Sequence, residues 1–338
     1  MSGSSRLPET ANINGARVFV TGGVGFIGSH LTQALLKRGA AQVTIIDSLR
    51  YGDLANLGKQ ERVSVIQHTL GKDPVSKLES LISGHDLLFH LAAEKHNQSK
   101  DSPYDVIRAN IDGSLEVFTA AAKAGVKKIV YTSSLYANGR VIGDDLKESD
   151  VPCPRTVYGM TKLAGEHLLQ FIKAQYGVPF SAIRYMFVYG PKQFAGMGYK
   201  SVIVKNFERI FAGQKPVIFG DGQQVLDYIF VDDAVEATIR AMEIDTAGEI
   251  LNVGSGKGVS VESLVKTMCR VAGVAYQPIF EAADWTAGTR RVGDISKALK
   301  SLAWDPSVNL ESGLRLTANW IKDSIKGSAL VSGGECRP

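Results

Sequence analysis

One stretch constrains this chain more than any other: TGGVGFIG, Thr21 to Gly28. The run ARVFVTG before it reads as a buried strand. The run FIGSHLTQALLKRG after it reads as a helix, with Ile27, Leu31 and Leu35 on one face and Gly39 as its stop. Between strand and helix, Gly22 can make the tight turn, Gly25 lets backbone approach a pyrophosphate, and Gly28 lets the helix pack closely on the sheet. The helix start adds free N–H groups and the positive end of its dipole. A glycine triplet alone is a weak signal. Here the next strand, QVTIID, also ends on an acid, Asp47, where a dinucleotide's ribose would lie. Asp47 can accept hydrogen bonds from a ribose diol and would repel a 2′-phosphate, which favours NAD over NADP. Arg50 nearby argues the other way.

The rest of the chain keeps the same rhythm. VSVIQH from Val63, DLLFHLAA (Asp86–Ala93), KKIVYTSS (Lys127–Ser134) and FSAIRY (Phe180–Tyr185) read as strands. Helix-length segments lie between them: DPVSKLESLISG, about 104–124, and about 158–176. Such alternation implies right-handed crossovers and a parallel sheet covered on both faces. The fold class expected is therefore α/β, a Rossmann-type doubly wound parallel sheet with a smaller interleaved C-terminal substrate domain. The dinucleotide-binding domain is placed at 16–189, with returns to the sheet at about 225–255 through YIFVDDAVEATIRAM and EILNVGS. The substrate domain is placed at 190–224 and 256–326. Residues 1–15 read as a disordered N-terminus and 327–338 as a flexible tail.

Composition narrows the function classes. A net charge of +4, evenly spread, is too mild for a nucleic-acid partner. No run of eighteen apolar residues spans a membrane. Residues 1–15 lack the apolar core of a signal peptide, so a cytoplasmic protein is expected. The three cysteines are far apart with no C-x-x-C, and the six histidines show no ligand spacing, so neither a disulfide framework nor a metal site is expected.

TVYGMTK, Thr156 to Lys162, places a phenol one helical turn before an ammonium. On an arbitrary helix that pair is surface decoration. Beside a dinucleotide it has chemistry. A free phenol titrates near pH 10, so a base working near neutrality needs its pKa lowered by roughly 4 kcal/mol. Lys162 and an oxidised nicotinamide ring both supply positive charge for that. Ser134, at the end of a strand, can come beside Tyr158 and hydrogen-bond the same substrate hydroxyl.

The pieces TGGVGFIGSH, FHLAAE, ANIDGSLEVFTAA, IVYTSS, YGMTK, RYMFVYGPKQ, GDGQQVLDYIFVDDAV and LNVGSG run in one order from about Val18 to Trp320. In this the chain resembles the extended short-chain dehydrogenases/reductases, in the branch that acts on nucleotide sugars. The resemblance implies Tyr158 as catalytic base, Lys162 as its activator and Ser134 as hydroxyl partner. It implies NAD contacts at Gly22, Gly25, Phe26, Ile27, Gly28, Asp47, Thr69, Leu70, Leu91, Ala92, Ala93, Lys95, Asn110, Ser133, Tyr158, Lys162, Tyr185 and Val188. It implies substrate contacts at Lys95, Ser134, Tyr136, Phe187 and Arg290 or Arg291. It also implies a small-molecule nucleotide-sugar partner and a homodimer formed through the helices at about 104–124 and 158–176. Tyr189 reads as structural. The chain departs from the family pattern at Phe187 (usually Asn), Leu226 (usually Arg), Thr69 (usually Asp) and Asn138 (usually Tyr).

The same resemblance narrows the reaction. Dehydratases of the branch carry Asp-Glu directly after the catalytic Ser or Thr, and decarboxylases usually a Glu. Leu135 and Tyr136 stand there instead, and neither ionises readily near pH 7. A nucleotide-sugar 4-epimerase working through a transient 4-keto sugar is the reading that remains first. The alternatives are an NAD-dependent sugar or alcohol oxidoreductase, and a dehydratase or decarboxylase using an atypical acid such as Tyr136 or Glu94. A non-catalytic NAD sensor is the other class, against which Tyr158 and Lys162 both count.

Overall fold

The computed structural model describes residues 11–140, 143–193, 200–246, 248–284 and 286–332. Seven strands form one sheet: β1 (Arg17–Thr21), β2 (Gln42–Asp47), β3 (Val63–Gln67), β4 (Leu87–His90), β5 (Lys128–Ser134), β6 (Phe180–Tyr185) and, after three strands outside it, β10 (Ile250–Val253). Their order is β10-β6-β5-β4-β1-β2-β3, and every neighbouring pair is parallel. The chain steps outward from β1 to β3 on one side and from β4 to β6 on the other. The order therefore reverses between β1 and β4, which opens a crevice above the carboxyl ends of those strands.

The sheet is buried because its residues are apolar on both faces. All seven residues of β5 and all six of β6 are buried. Alternation then assigns each face its own helices. On β1, Val18 and Val20 pack with Leu31 and Leu35 of helix α1 (Phe26–Lys37). Phe19, between them, packs on the other face with Leu78 and Ile82 of α2 (Val75–Ile82), Phe118 of α3 (Gly113–Lys123) and Leu169 of α4 (Val157–Tyr176). Each such fully buried side chain contributes about 1.5–3 kcal/mol. Helix α4 is punctuated at both ends: the Thr156 hydroxyl accepts from the Gly159 N–H, and Gly177 closes it at φ 73°.

The helix at about 104–124 is not uniform. Pro103–Ile107 leads into a π-helical turn, Arg108–Asp112, and then into α3. Such turns frequently mark functional sites, and this one carries Asn110.

Beyond β6 the chain leaves the main sheet. After Met186, β7 (Phe187–Tyr189) pairs with β9 (Val225–Phe230), which also pairs with β11 (Gly258–Ser260) and β13 (Arg290–Arg291). A further pair joins β8 (Val217–Phe219) to β12 (Ile279–Glu281). Helices α5 (Val202–Phe211), α6 (Val231–Glu243), α7 (Val261–Ala272) and α8 (Leu310–Ser332) complete the framework. Helix α6 lies against α1, β5 and β6, and α7 and α8 pack together and on α5.

Both ends differ from the sequence reading. Residues 1–10 lie outside the described residues, but 11–15 are not a loose end: Ile13 is 0% exposed in the core beside α1, and the Gly15 N–H donates to the Gly39 carbonyl. A lone isoleucine in a polar stretch gives no periodic signal. At the other end α8 continues through Ser332, past Gly327. One glycine costs a helix about 1 kcal/mol relative to alanine, and Ala329, Leu330 and Val331 follow it. Residues 333–338 lie outside the described residues. Among the described residues no helix is long and apolar enough to cross a membrane, and no His, Cys, Asp and Glu group is placed to hold a metal.

Candidate active site

The glycine loop is shaped by close approach. Gly22 sits at φ +72°, and a Cβ there would stand 2.7 Å from the Ala92 nitrogen. A Cβ on Gly28 would stand 2.2 Å from the Gly22 carbonyl oxygen. Gly25 is the N-cap of α1, carries no side-chain cap, and is followed by no acid in the first turn. The positive end of α1 therefore stays available to an anion. Asp47 caps the loop from below: one carboxylate oxygen accepts from the Val24 N–H at 3.1 Å, the other from the Leu49 N–H at 2.9 Å. Burial pushes its pKa up while those two bonds act against the rise.

Arg50 is engaged elsewhere. It donates to Glu94 at 2.9 Å, and the Tyr51 hydroxyl donates to the other Glu94 oxygen at 3.0 Å. The Lys95 ammonium lies 4.2 Å from the Tyr51 ring centre. Asn110 accepts from the Glu94 N–H at 2.7 Å and donates to the Glu94 carbonyl and the Thr161 hydroxyl, both at 3.1 Å. It thereby ties the segment after β4 to α4. The cradle residues, the free helix start and the buried Asp47 together fit a dinucleotide.

Strand β5 and helix α4 meet at three points. The Tyr158 hydroxyl is hydrogen-bonded to Ser134. The Lys162 ammonium donates to the Thr132 carbonyl at 2.8 Å. The Ser133 hydroxyl donates to Glu166, which also receives two hydrogen bonds from Arg184 of β6, at 2.8 and 2.7 Å. One helical turn from Tyr158 to Lys162 rises about 6 Å, and two strand residues from Ser134 to Thr132 span about 6.6 Å. The four-residue spacing thus matches the strand it faces. Burial pushes the Tyr158 phenol up to about 12, with the Ser134 hydrogen bond opposing. Burial pulls the Lys162 ammonium down to about 7, with Glu166 opposing. The Lys162 nitrogen is 5.7 Å from the Tyr158 ring centre.

These groups face a cavity of about 920 Å³ over the crevice. Its wall includes Gly22, Gly25, Phe26, Ile27, Gly28, Leu91, Ala93, Lys95, Ser133, Ser134, Tyr136, Tyr158, Lys162, Tyr185, Phe187 and Val188. Asp47, Thr69, Leu70, Ala92, Asn110, Arg290 and Arg291 lie outside that wall. Leu70 is packed in the core, and the Thr69 N–H donates to Asp73 at 2.8 Å. Strand alternation separates the two arginines: Arg290 is exposed and paired with Asp145 at 2.6 Å, whereas Arg291 is buried with its guanidinium carbon 5.5 Å from the Tyr136 ring centre. Leu135 is buried against Leu146 and Met186. Asn138 donates to the Lys147 carbonyl at 3.2 Å, and the Tyr189 hydroxyl donates to the Leu310 carbonyl at 3.2 Å.

Sequence reasoning missed His96. Its ring stacks on Tyr136 at 4.3 Å and meets Tyr158 edge-on at 6.0 Å. The available signal was position, in the loop leaving the carboxyl end of β4 beside the order reversal. Gln193 in the loop after β7, Asn206 on α5 and Phe219 on β8 also line the wall, and sequence reasoning named none of them.

Residues 18–254 match the model of the NAD dependent epimerase/dehydratase family. The UDP-glucose 4-epimerase of Mycolicibacterium smegmatis is 32% identical over 314 residues, covering 91% of this chain and 99% of that one. Among solved structures, the UDP-N-acetylglucosamine 4-epimerase of Methanobrevibacter ruminantium, in complex with UDP-N-acetylmuramic acid, superposes with a TM-score of 0.87 at 32% identity, over 92% of this chain and 99% of that one. The UDP-glucuronic acid 4-epimerase of Bacillus cereus, in complex with UDP-glucuronic acid and NAD, gives 0.81 at 28% identity, over 91% and 99%.

Proposed function

The chain belongs to the NAD dependent epimerase/dehydratase family, and from that membership we propose that it is an NAD-dependent nucleotide-sugar 4-epimerase acting on a UDP-hexose. The observation that carries the reading is the Ser134–Tyr158–Lys162 group facing the cavity, followed by Leu135 and Tyr136 where no carboxylate stands. The nucleotide cofactor is held by the glycine loop, the start of α1 and Asp47. NAD bound there supplies the reversible hydride acceptance at C4 that makes and unmakes a 4-ketone. Tyr158 takes the proton of the C4 hydroxyl and later returns it. Ser134 holds that oxygen through its hydroxyl, and Lys162 stabilises the phenolate by charge.

The test is product analysis with UDP-glucose, UDP-N-acetylglucosamine and UDP-glucuronic acid. The expected product has an unchanged mass and a shifted sugar NMR spectrum. A product lighter by one water sinks the epimerase reading. A change of two hydrogens with nicotinamide consumed in proportion replaces it by a simple oxidoreductase.

Partner and location follow from the same reading. Tyr104, Ile107 and Leu115, in the helical run ending in α3, and Met160 and Phe171 on α4 are exposed apolar side chains. We propose that these two helices pair with a second copy, so light scattering should give twice the chain mass; a monomer at micromolar concentration rejects the pairing. Free Cys153 and Cys269 suit a reducing cytoplasm.

A further inference from the structure

Arg50 stands three residues past Asp47, the last residue of β2. An acid at that strand end takes the ribose diol of NAD, whereas an arginine nearby accommodates the 2′-phosphate of NADP. The chain carries both signals side by side, and the structure shows how the second is silenced. The Arg50 guanidinium donates to Glu94 at 2.9 Å, in the loop that leaves β4. Strand β1 lies between β2 and β4, so ladder spacing sets the ends of those two strands about 9–10 Å apart. The Arg50 side chain reaches across that gap, over the end of β1 and away from β3. Both ends of the link are fixed. Asn110 fastens the Glu94 backbone through its N–H and its carbonyl. Gly52 packs so closely that a Cβ there would stand 2.9 Å from the Val24 carbonyl carbon, which holds the β2 loop on the glycine loop. The Glu94 side chain is 15% exposed, and its second oxygen accepts from the Tyr51 hydroxyl at 3.0 Å. The Tyr51 ring centre lies 5.1 Å from the Arg50 guanidinium carbon, and Gln98 donates to the Tyr51 hydroxyl at 2.9 Å.

We propose that Glu94 sets the cofactor preference of this chain, as a positioning residue that holds Arg50 off the adenosine ribose. Asp47 alone then faces the 2′-position. The inference rests on the NAD-dependent part of the proposed function and is independent of what happens to the sugar. With Glu94 in place, a 2′-phosphate meets the Asp47 carboxylate and finds Arg50 already paired. Drawing Arg50 to that phosphate strands a largely buried carboxylate beside the Tyr51 hydroxyl, which is costly. NAD binding disturbs nothing in the link. The ion pair thus acts against one nucleotide and not the other, which is how discrimination arises between ligands that share every other group. Glu94→Gln keeps the size of the side chain and the backbone anchors at Asn110, and removes the charge that attracts Arg50. The guanidinium is then free to pair with a phosphate.

The experiment reads bound nucleotide rather than turnover. Purified full-length protein is incubated with a large excess of equimolar NAD and NADP until its content stops changing. It is then freed of unbound nucleotide and denatured, and the released NAD and NADP are quantified. The nucleotides carried by each variant as purified from one host give the same ratio without any exchange. Wild-type protein should release NAD. In Glu94→Gln the NADP-to-NAD ratio should rise about tenfold, the worth of one hydrogen bond to a charged group. Asp47 still opposes the phosphate, so the preference narrows rather than reverses. The double variant Glu94→Gln, Arg50→Met should return to the wild-type ratio, because the gain is carried by the released guanidinium. A merely structural role for Glu94 weakens both nucleotides together and leaves the ratio where it was. An unchanged ratio in Glu94→Gln, with NAD in the wild type, overturns this inference alone, as does a gain that persists without Arg50. Wild-type protein that holds NADP, or neither nucleotide, overturns the NAD-dependent reading and this inference with it.

Discussion

Tyr158→Phe is expected to lower turnover by about 10²–10⁴-fold, the range of a lost general base, while the protein still retains NAD. The substitution removes only the hydroxyl, and the ring keeps its place beside Lys162 and His96. The structure makes the hydroxyl harder to ionise than sequence reasoning alone suggests. Burial pushes it up to about 12, so bringing it to neutrality takes about 7 kcal/mol rather than about 4. A single charge about 4 Å away contributes about 4 kcal/mol at the effective dielectric of such a site. The value of about 12 already includes the Ser134 hydrogen bond, so Lys162 alone does not suffice, and positive charge arriving with the cofactor supplies the rest. The sign of the pH dependence follows: lowering the pH protonates the phenol, so the wild-type rate falls toward acid, and in Tyr158→Phe that dependence disappears. The checks are the pH–rate profile and release of bound nucleotide on denaturation. A variant with near wild-type rate moves the base elsewhere, with Tyr136 the first suspect. Loss of NAD in the variant makes the hydroxyl a binding group instead.

The parallel sheet and its reversal were legible because β1, β2, β4, β5 and β6 are continuous apolar runs between amphipathic segments. The glycine loop was legible because close backbone approach admits no other residue at Gly22 and Gly28. Much of the cavity wall was not, because it depends on pairings distant in sequence. Nothing local says that Arg50 meets Glu94, 44 residues on. Nothing local says which of Arg290 and Arg291 faces inward; that is set when β13 pairs with β9 at Arg291↔Leu226. Strands of two or three residues, such as β7 and β13, are too short to show an alternating pattern. His96 had no partner in sequence to mark it, since Tyr136 and Tyr158 come to it only when β4, β5 and α4 assemble. Ile13 failed for the opposite reason: a single buried side chain has no period.

Glu166→Ala is expected to destabilise the fold by about 3–5 kcal/mol, the cost of stranding one member of a buried ion pair. Arg184 is 1% exposed and has Glu166 as its ion-pair partner, and the Ser133 hydroxyl donates to the same carboxylate. Removing the carboxylate strands a guanidinium and a hydroxyl between α4, β5 and β6. Thermal unfolding should then shift down by roughly 5–10 °C. A second consequence is electrostatic. Glu166 lies one turn past Lys162 and opposes the burial that pulls Lys162 down to about 7. Without it Lys162 carries its charge less readily, and the phenolate of Tyr158 loses support. The double variant Glu166→Ala, Arg184→Met separates the two effects. It removes both charges, so most of the lost stability should return, while turnover should stay depressed because Lys162 still lacks its anionic neighbour. An unchanged melting temperature in the single variant defeats the structural claim. Full recovery of turnover in the double variant defeats the electrostatic one, and leaves the pair as a brace that holds α4 against β5 without tuning its lysine.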